Sequence, residues 1–426
     1  MKKFLSVLMV GAMVFAMAGC GADAPASTQE TEQSAVESSE MTKPTEATEP
    51  SREKNPDSHS DIDKDRTEKD TPDEKDTLDD GHILSKIDVA ATGDTYQQYY
   101  DTLRIVNEGA NPVYSPVSLN TDLSLFGLCI EDGPALHEIN TFTGGRPYLS
   151  YRSLGENDEG TYRIINRIWY DIESHIDFTN LPVQNYLHPI AFDADGRATA
   201  EKDRYVDEMT DGFITSTPTR LVPGVMVDFM NIVYFKDAWD CGDLETIDGK
   251  YQFTNADDTS VDRTFMVYES ASYYENDTCY AVPMRYQSGM TFYAIYPKKG
   301  VDNIDFTNLI SDVNKQYNGI RVILPEFEVS AEMNISDYAE AIGLGHITEA
   351  TPLFMDGPFN PLITQVVRID VNHEGTEAAA VTEITAKNEC VAIDNTLELV
   401  FDKSFAYMIE DINGDIAFMG QITHLD

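Results

Sequence analysis

Apolar residues recur at two different periods along this chain, and the change from one period to the other outlines its elements. Tyr96, Tyr99, Tyr100, Leu103 and Val106 fall three or four positions apart, the spacing of one helix face, and predict an amphipathic helix over residues 96–108. Elsewhere the period is two. Ile164-Ile165-Asn166-Arg167-Ile168-Trp169 alternates as a strand does, and Ala281-Val282-Pro283-Met284-Arg285-Tyr286 with Met290 to Pro297 reads as a buried hairpin. Two apolar runs, Phe401 to Ile409 and Ile416 to Gly420, flank Asn413-Gly414, the dipeptide that best supplies the left-handed backbone of a tight hairpin turn.

The stretch from Asp370 to Ala386 has period two without a core anchor. Thr376, Ala378, Ala380, Thr382, Ile384 and Ala386 make one small, apolar face, while Glu377, Ala379, Val381, Glu383, Thr385 and Lys387 make a mostly polar one. Ala and Thr are narrow side chains, able to slip between existing strands. No proline follows Pro361, so each residue can donate its backbone N–H inside a sheet. Composition alone leaves a second reading open, an Ala-rich helix beginning near Glu374.

The first 80 residues belong to another regime. Lys2 and Lys3 precede an apolar run from Phe4 to Ala18 that ends in Met17-Ala18-Gly19-Cys20, a secretory signal over residues 1–19 with a lipobox-like end. The run is too short to span a membrane. Cleavage before Cys20 leaves that cysteine as the lipid attachment site, and two or more acyl chains anchor stably. Residues 21–80 contain no Phe, Tyr or Trp and carry 19 acidic against 7 basic residues. They cannot bury enough apolar surface to offset their ordering entropy. Residues 20–80 are therefore expected to be an acidic tether, about 45 Å end to end as a flexible coil, with the folded domain over 81–426. The whole chain has a net charge of −44; setting aside −12 for the tether and +2 for the signal leaves −34 on the folded part. That balance excludes nucleic acid and an anionic membrane surface as partners and favours encounter with basic proteins.

Asn372-His373-Glu374-Gly375-Thr376-Glu377-Ala378-Ala379-Ala380-Val381-Thr382 resembles the hinge of the serpins, the serine-protease inhibitor family with a mobile reactive loop. The likeness continues in order through the folded part. Asn111-Pro112-Val113-Tyr114-Ser115-Pro116-Val117-Ser118 is similar to the family's Asn-x-x-x-Ser-Pro-x-Ser signature, in which Ser-Pro opens a helix beneath the main sheet. Val227 to Trp239 resembles the strand that places an Asn in the shutter and a Trp in the breach, where the loop first enters; those roles pass to Asn231 and Trp239. Val322 to Val329 resembles the family's Leu-Pro-Lys-Phe strand, and Phe418-Met419-Gly420 its ending. Gln365 stands where a shutter His is usual, His373 stands where a hinge Glu is usual, and the span from Ser118 to Asn166 is about a dozen residues short.

The resemblance implies an α+β fold: a large central mixed sheet, additional sheets, about eight or nine helices and an exposed reactive-centre loop. It implies a hinge at Glu374, Gly375, Thr376, Glu377, Ala378, Ala379 and Ala380, and shutter and breach residues Ser115, Ser118, Asn231, Trp239 and Gln365. Counting from Gly375 puts the reactive bond at Glu389-Cys390; counting back from Phe401 moves it toward Ile393. The implied function is extracytoplasmic inhibition of a serine-type endopeptidase. The loop is cut, inserts into the sheet and traps the covalent acyl-enzyme, with no catalytic residue, cofactor or metal of the inhibitor's own. The expected molecule is a monomer, held at a bacterial cell membrane only by its lipid. Two alternatives remain: a non-inhibitory binding protein of the same fold, and a solute-capturing lipoprotein. Cys129, Cys241, Cys279 and Cys390 allow three pairings, and no pairing follows from their spacing.

Overall fold

A computed structural model of the protein describes residues 93–106, 109–145, 154–157, 160–357, 359, 361, 363–376 and 397–426. The predicted first helix is α1, Gly93–Val106, with Tyr100 and Leu103 fully buried. Helix α2, Pro116–Gly127, begins as its sequence directs: Ser115 sits in extended backbone and its hydroxyl accepts from the Ser118 N–H at 3.1 Å. Pro116 occupies the first turn, where a missing N–H costs nothing. Every residue from Pro116 to Leu123 is buried, so α2 is enclosed on all sides rather than amphipathic. Helices α3, Pro134–Phe142, and α4, Arg197–Met209, complete the four α-helices among the described residues, against the eight or nine implied for the whole fold. Among the described residues, α3 is the one helix that lies wholly within the shortened span between Ser118 and Asn166.

Among the described residues the large sheet has seven strands: β1 (Leu154–Asn157), β2 (Gly160–Asp171), β3 (Leu187–Ile190), β4 (Val227–Ala238), β5 (Phe327–Asn334), β6 (Thr364–Val371) and β7 (Gly375–Thr376). Their order is β5-β6-β7-β4-β2-β1, with β3 parallel beside β2. The two residues of β7 run antiparallel to both neighbours, so β4 and β6 are parallel to each other. Among the described residues no ladder joins β4 to β6 directly.

The sheet's faces are packed differently. Helix α2 lies under one face, where Phe126 meets Phe229 edge-on at 5.4 Å. On the other, α4 packs Ala198 and Val206 against Ile165, Trp169, Met230 and Ile232. A second seven-stranded sheet contains both hairpins read from the sequence: Cys279–Arg285 pairs antiparallel with Thr291–Pro297, and Phe405–Glu410 with Ile416–Ile422. The stretch from Val322 to Val329, read as one strand, is two. Ile320–Pro325 belongs to a four-stranded sheet and β5 to the large one. Pro325 cannot continue a ladder as donor, and the next N–H, from Glu326, turns to the Thr264 carbonyl at 3.0 Å. Among the described residues, Cys129 and Cys279 are free thiols, both buried.

One core group is out of place. Asp122 of α2 is buried, and its Oδ1 has no hydrogen-bond partner among the described residues. Burial, then the charge of Asp228, hold its carboxyl protonated well above the ordinary carboxylate range. The unfolded chain ionises Asp122 near 3.9, so its cost is absent below that pH and grows as pH rises. Asp122→Asn should melt with the wild type at pH 3.5 but about 2 °C or more above it at pH 7.5; thermal melts across that range measure the divergence, and parallel curves would refute it.

Candidate functional site

Where β7 lies between β4 and β6, the chain makes a tight turn whose every backbone group is used. The Asn372 side-chain oxygen accepts from the N–H groups of Glu374 at 2.9 Å and Gly375 at 3.3 Å, and the Asn372 N–H donates to the Gly375 carbonyl at 2.9 Å. Gly375 then passes so close to β4 that a Cβ would fall on the Asp237 carbonyl oxygen and 2.8 Å from the Ala238 Cα. Only glycine fits there. Thr376 follows, buried, its hydroxyl 2.6 Å from that of Tyr286.

Trp239, the residue after β4, closes this junction from beneath. Its fully buried indole stacks on Tyr286 with ring centroids 4.6 Å apart and planes at 11°. The indole N–H donates to the Asn372 carbonyl at 2.9 Å, and the backbone N–H to the Glu374 carbonyl at 3.2 Å. The Leu244 N–H fixes the His373 carbonyl at 2.8 Å. Trp239 is thus core and clamp at once.

The rim of the junction is acidic. The Glu326 carboxylate accepts from the His373 backbone N–H at 3.0 Å and lies 2.6 Å from His373 Nδ1. Glu328 pairs with Arg368 at 2.6 Å. Burial, then Glu328 and Glu326, push the Asp370 carboxyl above its ordinary value. His373, which stands where a hinge Glu is usual, is a bonded part of the turn.

Halfway down the sheet, Gln365 of β6 bridges to α2 with both ends of its amide. Its oxygen accepts from the Ser115 N–H at 2.8 Å and its nitrogen donates to the Ser115 carbonyl at 3.0 Å. On β4, Asn231 donates to Asn166 of β2 at 2.8 Å, but the Asn231 side-chain oxygen is buried without a partner among the described residues. Ser115 and Ser118 together build the cap beneath.

The structure therefore brings Ser115, Ser118, Asn231, Trp239, Gln365, Glu374, Gly375 and Thr376 to one side of the large sheet or its midline. Glu377, Ala378, Ala379, Ala380, Glu389, Cys390 and Cys20 lie outside the described residues. The span from 377 to 396 is nonetheless fixed at both ends in different sheets: Thr376 in β7, and Leu397 in a strand parallel to Ile320–Pro325. Sequence reasoning missed Tyr286, Glu326 and Asn166. Tyr286, at the end of the predicted hairpin strand and beside a glycine turn, was the one with a visible cue.

The family model described as "Serpin (serine protease inhibitor)" matches residues 90–425. Among curated relatives, Neuroserpin of Rattus norvegicus is 23% identical over 368 residues, covering 76% of this chain and 88% of the relative. Intracellular coagulation inhibitor 2 of Tachypleus tridentatus is 24% identical, covering 76% and 88%. Among solved structures, the thermophilic serpin Tengpin in its native state aligns with a TM-score of 0.66 at 17% identity over 80% of this chain and 95% of Tengpin. Thyroxine-binding globulin in complex with thyroxine aligns with a TM-score of 0.62 at 18% identity, over 78% and 98%. At these identities the structural likeness speaks for the fold.

Gln365→Leu removes both bonds to Ser115 and strands a buried N–H and C=O. Denaturant unfolding of the intact protein should lose about 2–4 kcal/mol, whereas Gln365→His, which keeps a donor or acceptor, should lose less. Equal losses would mean that the amide is only filling space.

Proposed function

The chain belongs to the serpin family, and from that premise we propose that it inhibits a serine endopeptidase by being cut in its own loop and inserting that loop into the large sheet. Serpins are generally protease inhibitors rather than proteases, and the chain needs no catalytic group for this reaction. The observation that carries the reading is the position of β7: of the hinge residues, Gly375 and Thr376 are already paired with β4, and Thr376 with β6 as well.

Register makes the idea specific. Thr376 faces Asp237 on β4 and Val371 on β6, so an antiparallel continuation brings residue 382 opposite Asn231 and Gln365. A Thr hydroxyl arriving there would supply the donor that the Asn231 oxygen lacks. The same continuation turns Ala378, Ala380, Thr382 and Ile384 toward the core, the small apolar face of the sequence. Each new backbone hydrogen bond contributes about 1 kcal/mol net and each buried apolar Å² about 25 cal/mol. Ten or so residues then supply more than about 10 kcal/mol, held back kinetically until a protease releases the loop.

In this reading the protease attacks at Glu389-Cys390, forms its acyl-enzyme and is carried to the far end of the sheet before hydrolysis. The target is a serine protease with a basic surface, drawn by the acidic charge. Cys20 carries lipid, and residues 20–80 hold the domain away from the membrane of a bacterial cell. Hinge chemistry separates this from a non-inhibitory relative: Thr376 is neither charged nor bulky, and no proline falls among Ala378 to Ala380.

Incubation with Glu-specific and elastase-like serine proteases should give an SDS-stable complex and release a fragment whose mass locates the cut. Cleavage without complex would favour the non-inhibitory alternative. Thr376→Arg puts a charge into the buried place beside Tyr286; it should abolish the complex while leaving loop cleavage at the wild-type rate.

A further inference from the structure

Helix α4 is bonded to the sheet by more than packing. Lys202 is fully buried on its sheet-facing side, 2.9 Å from the Asp228 carboxylate of β4, and also donates to the Thr219 carbonyl. The segment around Thr219 is fixed to α4 as well: the Thr217 N–H donates to Asp203 at 3.2 Å and the Leu221 N–H to the Thr199 hydroxyl at 3.0 Å. Helix and segment are therefore bonded to each other at three places. From that segment the Thr219 hydroxyl reaches 3.3 Å to the hydroxyl of Thr364 on β6. One polar chain, Asp228–Lys202–Thr219–Thr364, thus runs from β4 to β6. It crosses a cavity of about 20 Å³, room for roughly one water molecule, whose lining includes Met230, Ile232 and Val366.

A lysine is almost never fully buried unless paired, and an apolar pair of similar volume is often as stable as a buried ion pair. Packing alone does not call for charge at this place. Directional bonds differ from apolar contact in how they yield: they weaken steeply with angle and distance, whereas packed methyl groups slide. A polar bridge between two strands therefore resists their separation up to a threshold.

We propose that Lys202, Asp228, Thr219 and Thr364 form a clasp across β4 and β6 that sets the rate at which the large sheet opens to accept a strand. The proposal rests on the insertion reading above. These four are positioning residues, for they act on the strands and touch no protease. Opening breaks the Thr219–Thr364 link first, and Lys202 keeps α4 seated on β4 until then.

The test uses a fluorescent synthetic peptide with the sequence of residues 376–386, mixed with the full-length intact protein, and follows its incorporation rate. Thr364→Val preserves shape and removes only the link to β6; it should speed incorporation about fivefold, the value of one hydrogen bond. Lys202→Met combined with Asp228→Leu removes both charges together and leaves no unpaired one; it should speed incorporation about tenfold or more. Melting of the loop-cleaved forms separates this role from general stability: both variants should match the wild type once the sheet is filled. Incorporation at the wild-type rate in both variants, or an equal loss of stability in intact and cleaved forms, overturns the clasp alone. A peptide that enters neither wild type nor variants overturns the insertion reading and the clasp with it.

Discussion

The register of Gly375 and Thr376 against β4 and β6 is the constraint on which the rest of the molecule depends. It is held from every side: Asn372 bonds the turn, Trp239 takes its carbonyls, Tyr286 takes the Thr376 hydroxyl, and the Asp237 carbonyl leaves no room for a side chain at Gly375. A sheet slips register easily only where one face is not specified. Here both the turn and the threonine specify it, so any further residue taken up between β4 and β6 has a defined partner on each strand before it arrives.

Below that junction, the region between β4 and β6 is unusually polar for the centre of a core. Gln365 spends its amide on the backbone of α2, Asn231 and Asp122 keep oxygens without partners among the described residues, and Lys202 with Asp228 brings a charge pair under α4. Each of these costs stability in a packed interior unless fully satisfied. Consistent sequences avoid such costs, and those that keep them usually do so where function needs a higher-energy state. The Asn231 oxygen lies at the sheet's midline, where a strand added in the proposed register would bring it a donor.

Local chemistry made part of this legible in the sequence. Ser115-Pro116 announces a capped helix because cap and first turn are adjacent residues, Asn413-Gly414 announces its hairpin for the same reason, and the alternation of Ile164 to Trp169 gives β2 directly. Gly375 and Thr376 were found through their pattern with the small residues that follow. What stayed hidden are partnerships between distant positions: Lys202 with Asp228 is 26 residues apart, His373 with Glu326 is 47, and Tyr286 with Thr376 is 90. A single charge at Asp228, inside an otherwise apolar strand, is a cue without an address. The corner at Glu326 was misread because Leu324 and Phe327 are both apolar, and period alone does not say that Pro325 ends one sheet and Phe327 begins another.

The central claim is that the large sheet gains a strand between β4 and β6 when the loop is cut. Amide hydrogen exchange, measured on the intact protein and again after loop cleavage, tests it on the residues involved. The account predicts that amides of β4 from Asp228 to Asp237 and of β6 from Thr364 to Val371 become strongly protected after the cut, while those of the hairpin Phe405–Ile422 do not change. Unchanged exchange along β4 and β6 would contradict it.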